Sequence, residues 1–306
     1  MSSSPVTSFS SVAAPEDTLK ALHGVLAKLD VTERIEQELV HLASYRAPAP
    51  SKDDLQRRPY EQLPKKRLAA VLVLVHLSPD GTSLNVTLTT RSAKLRSHPG
   101  ETALPGGKFE LAQDTYIEQT ALREANEEVG LPLDAPLLHL TNLAPYTSRT
   151  LLIVVPCIYL LALPSSQAST WLSTHLEPNP DEVASMFECR LDRLLEPSRM
   201  PNRYKYEWTD YEWPLQPTTR YRLHSFDSTE FSSAITGLTA DILIDTASIA
   251  AYGPQMGLES GREQGIEFER RAEGQVGWSE IVRRALKIET RVQRLTTDPT
   301  RTVQPN

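Results

Sequence analysis

The pattern of apolar and polar positions changes register several times along the chain. From Glu16 to about Tyr45 apolar residues recur every three or four positions: Leu19, Leu22, Val25, Leu26 and Leu29, then Ile35, Leu39 and Leu42. That spacing predicts two amphipathic helices within 16–46. Over 47–66 the pattern gives way to a Pro-rich, charged stretch, read as a linker and domain boundary. Leu68–Leu77 is then a β-branched and aliphatic run, which predicts a buried strand. Pro79-Asp80-Gly81 supplies turn chemistry, and Leu84–Thr90 alternates as the return strand of a hairpin does.

Further strands are predicted at Leu137–Leu143 and Leu151–Leu163, with a shorter one at Met186–Arg190. Ahead of them one strongly patterned helix, about Thr115–Val129, ends at Gly130, where a left-handed cap is favoured. Runs of strand with one inserted helix predict an α+β fold rather than a parallel doubly wound sheet. Tyr204, Tyr206, Trp208, Tyr211 and Trp213 read as a hairpin packing its aromatic side; a platform for stacking a base is the alternative. The remaining divisions are a disordered lead-in at 1–15, a main domain at 67–250, a flexible loop at 251–277, and a C-terminal helix and tail at 278–306. The last helix is placed near Trp278–Leu295.

Composition narrows the function classes. The longest apolar run, Leu151–Leu163, is interrupted by Pro156 and falls short of the roughly 18 residues a membrane span needs. Lys and Arg number 32 against 39 Asp and Glu, a net charge of −7. A sequence-independent nucleic-acid coat needs the opposite balance, although a local cationic pocket stays compatible with it. Two cysteines, Cys157 and Cys189, cannot build a disulfide framework, and no secretory signal precedes them. The expectation is an intracellular location, peroxisomal or cytosolic. Arg34-Ile35 followed five residues on by His41-Leu42 superficially fits a type 2 peroxisomal targeting pattern, but Glu38 is a poor central residue. The same residues explain themselves as a helix.

The chemistry concentrates in residues 88–131. On a helix advancing about 100° per residue, Glu127 and Glu128 fall about 60° and 40° to either side of Glu124. Three carboxylates then share one arc beside a face of Ala121, Leu122, Ala125 and Val129 that can pack on a sheet. Like charges so placed destabilise a helix unless a cation neutralises them, and carboxylate oxygens are the ligands that hard divalent ions select. A solvated helix face is the plainer alternative. Two neighbours weigh against it. Pro105-Gly106-Gly107 lets backbone approach closely, and Arg91, Lys94, Arg96 and His98 place cations just upstream, a cradle for phosphates.

Gly107 together with Arg123-Glu124-Ala125-Asn126-Glu127-Glu128-Val129-Gly130-Leu131 resembles the Nudix box of the Nudix hydrolases, Gly-x5-Glu-x7-Arg-Glu-U-x-Glu-Glu-x-Gly-U with U aliphatic. Upstream, Leu88-Thr89-Thr90-Arg91-Ser92, Leu95-Arg96-Ser97-His98-Pro99-Gly100-Glu101 and Leu104-Pro105-Gly106-Gly107-Lys108 resemble the coenzyme A pyrophosphatase branch. So do Asn179-Pro180-Asp181-Glu182-Val183 and Gly237-Leu238-Thr239-Ala240. The resemblance covers roughly Leu68–Leu243. The first half of the box departs from the pattern: fifteen residues, not thirteen, separate Gly107 from Arg123, and no Glu stands at the first position. Gln113 and Asp114 are nearest, and Asp114 is expected as a helix N-cap.

The resemblance implies a Nudix-type mixed sheet sandwiched between helices, with an N-terminal helical extension and a C-terminal one. It implies Mg²⁺ or Mn²⁺ held by Glu124, Glu127 and Glu128, with Glu124, Glu127 and Arg123 serving catalysis and Arg123 orienting carboxylates. Substrate contacts would come from Arg91, Lys94, Arg96, His98, Gly106 and Gly107. The implied reaction splits the diphosphate of coenzyme A or a derivative into 3′,5′-ADP and 4′-phosphopantetheine or its acylated form. Another nucleoside diphosphate derivative, such as ADP-ribose or an oxidised nucleotide, and a non-catalytic nucleotide-binding module are the alternatives. Glu124 is the family-like general base and Glu182 the other candidate. The expected partner is a small molecule, neither nucleic acid nor membrane, with a homodimer left open. Residues 1–45 are expected to be dispensable for chemistry.

Overall fold

In a computed structural model, which describes residues 15–47, 64–199, 203–213, 220–254 and 266–286, the aliphatic run Leu68–Leu77 forms strand β1. Its side chains alternate between two cores, as the two-residue period of a strand requires. Val73, Val75 and Leu77 enter one core; Leu68, Ala70, Leu72 and Leu74 enter the other. This double burial is why the run is apolar throughout instead of alternating.

Around β1 lies a mixed sheet. It comprises β2 (Leu84–Arg91), β3 (Thr102–Ala103), β4 (Gly106–Lys108), β5 (Leu137–Asn142), β6 (Tyr146–Thr147), β7 (Ile153–Leu161) and β8 (Val183–Arg190). The main order is β3-β2-β1-β7-β5, with β4 on β1, β6 on β7 and β8 on β2. β1 and β7 run parallel, from Leu68 opposite Ile153 to Val75 opposite Leu160. β2 and β4 pair with β1 antiparallel. The aromatic stretch is a hairpin as expected: β9 (Tyr204–Glu212) pairs with β10 (Arg220–Ser228), which carries the short β11 (Ile235–Thr236).

Helices cover both faces. On one side α1 (Pro15–Leu26), α2 (Glu33–Ser44) and α5 (Gly237–Tyr252) share a core with Val75 and Val86. On the other, α3 (Ile117–Val129), α4 (Ser165–His175) and α6 (residues 278–286) pack against Leu72 and Val155. The fold is α+β, a mixed sheet between helices.

Several expectations need correction. The N-terminal helices are not a separable unit: Leu22, Ile35, Leu39 and Leu42 are completely buried in the same core as β1 and α5. The linker read at 47–66 falls largely on residues 48–63, outside the described residues, as does the lead-in before Pro15. Arg34-Ile35 and His41-Leu42 lie on α2, with Ile35 and Leu42 fully buried. The stretch 266–277, read as part of a flexible loop, is anchored: Arg270 is buried and its guanidinium lies 2.5 Å from the carboxylate of Asp245. Strand β8 is longer than the expected Met186–Arg190, and α4 and α5 are helices that the sequence pattern did not reveal.

Candidate active site

The two glycines of Pro105-Gly106-Gly107 lie on β4, opposite Val71 and Ala70 of β1. A Cβ on Gly106 would come 2.2 Å from the carbonyl oxygen of Ala70, so the backbones are too close for any side chain there. On Gly107 a Cβ would meet the carboxylate of Glu124, 2.4 Å from its Cδ. These glycines serve to bring β4 against both β1 and the acidic helix.

That helix, α3, packs Ile117, Ala121, Ala125 and Val129 into the core and is closed by Gly130 in the left-handed conformation, φ 67°. Its acidic residues have three different environments. Glu128 is buried, and its Oε2 accepts the backbone N–H of Gly106 at 3.1 Å. Burial pushes its carboxyl up to about 7, against the pull of that N–H and of Arg91; the charges of Glu124 and Glu182 push the same way as burial. Glu124 is raised too, chiefly by burial, while Arg123 opposes the shift. Glu127 is half exposed.

Arg123 organises the group. Its Nε and one terminal nitrogen donate to the two oxygens of Asp114, each at 3.0 Å, and the latter nitrogen also reaches the Lys108 carbonyl and Glu124, both at 3.0 Å. Its other terminal nitrogen donates to Glu127 at 3.3 Å. Asp114 is therefore not the helix N-cap that the sequence suggested; Tyr116 takes that position. Burial would raise Asp114, but Arg123, the backbone N–H of Glu110 and the hydroxyl of Thr120 together hold its carboxyl below the usual range. This role was missed because the partner lies nine residues away, after a turn two residues longer than the general pattern. Residue type was the available signal, since Asp114 is one of two candidates near the first position of the box.

The four upstream cations separate. Arg91 donates to the Ser97 carbonyl, and its charge acts on Glu128. Lys94 pairs with Asp181 at 2.8 Å and His98 with Glu101 at 2.8 Å, all largely exposed. Arg96 is exposed and has no polar partner among the described residues. A loop brings Glu182 toward the acidic helix: Asn179 N–H bonds the Glu128 carbonyl, and the Glu182 carbonyl accepts Ser92 N–H, both at 2.8 Å.

The donor set is all carboxylate oxygen, which suits Mg²⁺ or Mn²⁺. A cation would also offset the burial that chiefly raises Glu124 and Glu128, along with the smaller repulsion from neighbouring carboxylates. As the side chains stand, no three potential ligands among the described residues close on one point. Arg123 holds Glu124 and Glu127, while Glu128 turns inward to Gly106. Rotation of these side chains is the adjustment a metal would require.

A family model described as the NUDIX domain matches residues 66–209. Nudix hydrolase 15, mitochondrial, of Arabidopsis thaliana is 38% identical over 198 residues, covering 64% of this chain and 62% of that protein. An uncharacterized Nudix hydrolase, NudL, of Pectobacterium atrosepticum is 42% identical over 135 residues, 44% of this chain and 62% of its own length. Peroxisomal coenzyme A diphosphatase 1 of Saccharomyces cerevisiae is 44% identical over 150 residues, 43% of this chain and 44% of that protein. The chain thus spans less than two thirds of the length of these relatives. No helix among the described residues is long and apolar enough to cross a membrane.

Proposed function

We propose, from the match of residues 66–209 to the NUDIX domain model, that the protein hydrolyses the diphosphate of coenzyme A or a close derivative, with Mg²⁺ or Mn²⁺ as cofactor. The observation that carries this reading is the packing of Glu124 and Glu128 against Gly107 and Gly106, with the charge of Arg91 acting on Glu128. The substrate rests on the upstream residues 88–108 and on relatives named as coenzyme A diphosphatases in yeast and Caenorhabditis elegans.

Glu124, Glu127 and Glu128 would hold the ion, which when bound neutralises diphosphate oxygens and makes a water more acidic. The chain's own residues do the rest. Asp114 fixes Arg123, and Arg123 fixes the Glu124 and Glu127 carboxylates and the Lys108 carbonyl. The Gly106 N–H sets the rotation of Glu128. Glu124 would accept the proton of the attacking water, with Glu182 as the other candidate. Arg91 and Arg96 would meet phosphate, since Lys94 and His98 already face carboxylates. That pairing favours a second reading, ADP-ribose or another nucleoside diphosphate derivative, which needs fewer cations.

The test incubates full-length protein with coenzyme A, dephospho-coenzyme A and ADP-ribose in parallel, with Mg²⁺ or Mn²⁺, and identifies products by mass. Release of 3′,5′-ADP and 4′-phosphopantetheine with kcat/KM above that for ADP-ribose is the expected result. A preference for ADP-ribose moves the assignment to the second reading.

A further inference from the structure

Arg67, immediately before β1, ties three parts of the molecule together. Its Nε donates to the Leu151 carbonyl at 2.8 Å, and a terminal nitrogen donates to the Ala285 carbonyl of α6 at 3.3 Å. One residue on, the Leu68 carbonyl accepts the N–H of Phe109 at 2.9 Å. Lys65 lies with its ammonium 5.4 Å from the centre of the Phe109 ring. The residue before Phe109 is Lys108, whose carbonyl Arg123 holds. A short covalent and hydrogen-bonded path thus runs from α6 to the arginine that orients Glu124 and Glu127.

The segment carrying α6 is firmly seated. Arg270 is buried, ion-paired with Asp245 and donating to the Asp241 carbonyl at 3.3 Å, and its own carbonyl accepts the His224 Nε2–H at 2.9 Å. Phe268 stacks on Tyr206 with ring centres 4.3 Å apart, and Trp278 packs on Tyr146 at 5.0 Å. Ile281, Val282 and Ala285 are buried in the core beneath α3. A buried guanidinium stripped of its carboxylates would be strongly unfavourable, so Arg270 pins the segment in one place.

We propose that residues 266–286 are a strap that sets the catalytic loop, with Arg67 as the positioning residue through which α6 fixes the start of β1 and, through it, Lys108 and Phe109. The activity arm of the test rests on the hydrolase reading above; the exchange arm does not. Full-length Arg67→Met and Arg67→Lys are compared with the parent by amide hydrogen exchange over residues 104–112 and 278–286, and by kcat and KM. In Arg67→Met, exchange over 104–112 rises by about tenfold or more as the local opening becomes easier. Its kcat falls by about tenfold while KM changes less than about threefold. Arg67→Lys, which keeps the charge but offers a single donor nitrogen, recovers part of both. If Arg67→Met does not fold, the Asp245→Asn/Arg270→Met pair loosens the strap from its far end by removing both members of the buried ion pair, and 104–112 should again exchange faster. Unchanged exchange over 104–112 in the folded variant overturns the proposal. A parent protein that cleaves no diphosphate defeats the hydrolase reading alone, and the exchange result still decides the strap.

Discussion

The carboxylate of Glu124 occupies the place that a side chain on Gly107 would need, 2.4 Å from Cδ to the position of a Cβ. Gly107→Ala must therefore push Glu124 or β4 aside. Because the obstacle is the end of a side chain, the fold should survive with a small loss of stability, about 1–3 kcal/mol for such overpacking. Turnover should fall more than about tenfold, since a misplacement of this size costs that much or more in rate. Parallel kinetics and thermal melts check it; full activity in the variant would remove Glu124 from the site.

Asp114 and Arg123 form an ion pair whose carboxylate side is 1% exposed. Asp114→Ala leaves the guanidinium without its main partner, and removing one member of a buried pair costs about 3–5 kcal/mol. The expected result is a clearly lowered denaturation midpoint and, in the folded fraction, a lower kcat. Asp114→Glu should restore part of the rate. Equal rates for all three proteins would mean that Arg123 needs no such support.

Activity should depend strictly on a divalent cation. Treatment with EDTA is expected to abolish turnover and Mg²⁺ or Mn²⁺ to restore it. Glu128→Gln keeps the volume of the buried side chain but removes its charge, so metal affinity by calorimetry and turnover should drop together. Turnover that persists after EDTA would sink the metal reading.

His224 is buried between Tyr206 and Arg270. Burial, more than any neighbour, pushes its imidazole down to about 4 from 6.5. Between those values the unfolded chain carries the proton and the folded chain does not. The stabilisation is therefore complete above pH 6.5 and is lost as pH falls toward 4, by about 3 kcal/mol at most. Urea midpoints at pH 7 and 4.5 should fall further for the parent than for His224→Gln. Identical pH slopes would exclude His224 as the cause.

Deleting residues 1–45 should prevent folding, not leave a trimmed enzyme. Leu22, Ile35, Leu39 and Leu42 are fully buried against β1 and α5, and truncating even one such leucine to Ala costs about 2–5 kcal/mol. Circular dichroism and dye binding on a chain beginning at Arg46 check this. A cooperative melt at the parent's temperature would show that the two layers are independent.

The sequence carried β1, β2, β7 and α3 plainly because each has one dominant period or a continuous apolar run closed by turn residues. It did not carry α5, GLTADILIDTASIAAY, because that helix is buried on nearly every side and shows no polar stripe. Its two acidic residues, Asp241 and Asp245, look like surface marks but bond inward to Tyr221 and Tyr146. Helix α4 was hidden by composition, with six of its eleven residues Ser or Thr. At the site, the acidic arc could be read from helical geometry alone. The pairing of Lys94 with Asp181, 87 residues away, could not, because only the folded sheet brings β2 beside the loop before β8.

The ring of His41 donates from Nδ1 to the carbonyl of Ala250 at 2.8 Å, joining α2 to a helix 209 residues further along. At a synthesis rate of about 5–20 residues per second, the ribosome needs on the order of 10–40 s to make the stretch between them. Throughout that interval the leucines of α1 and α2 have emerged while α5, a large part of the surface that covers them, has not. The nascent chain thus presents these two amphipathic helices well before the helix that completes their cover. Overexpression should therefore be limited by what happens during translation, and coexpressed chaperones that hold exposed apolar segments should raise the soluble yield more than any change of growth temperature after synthesis is complete.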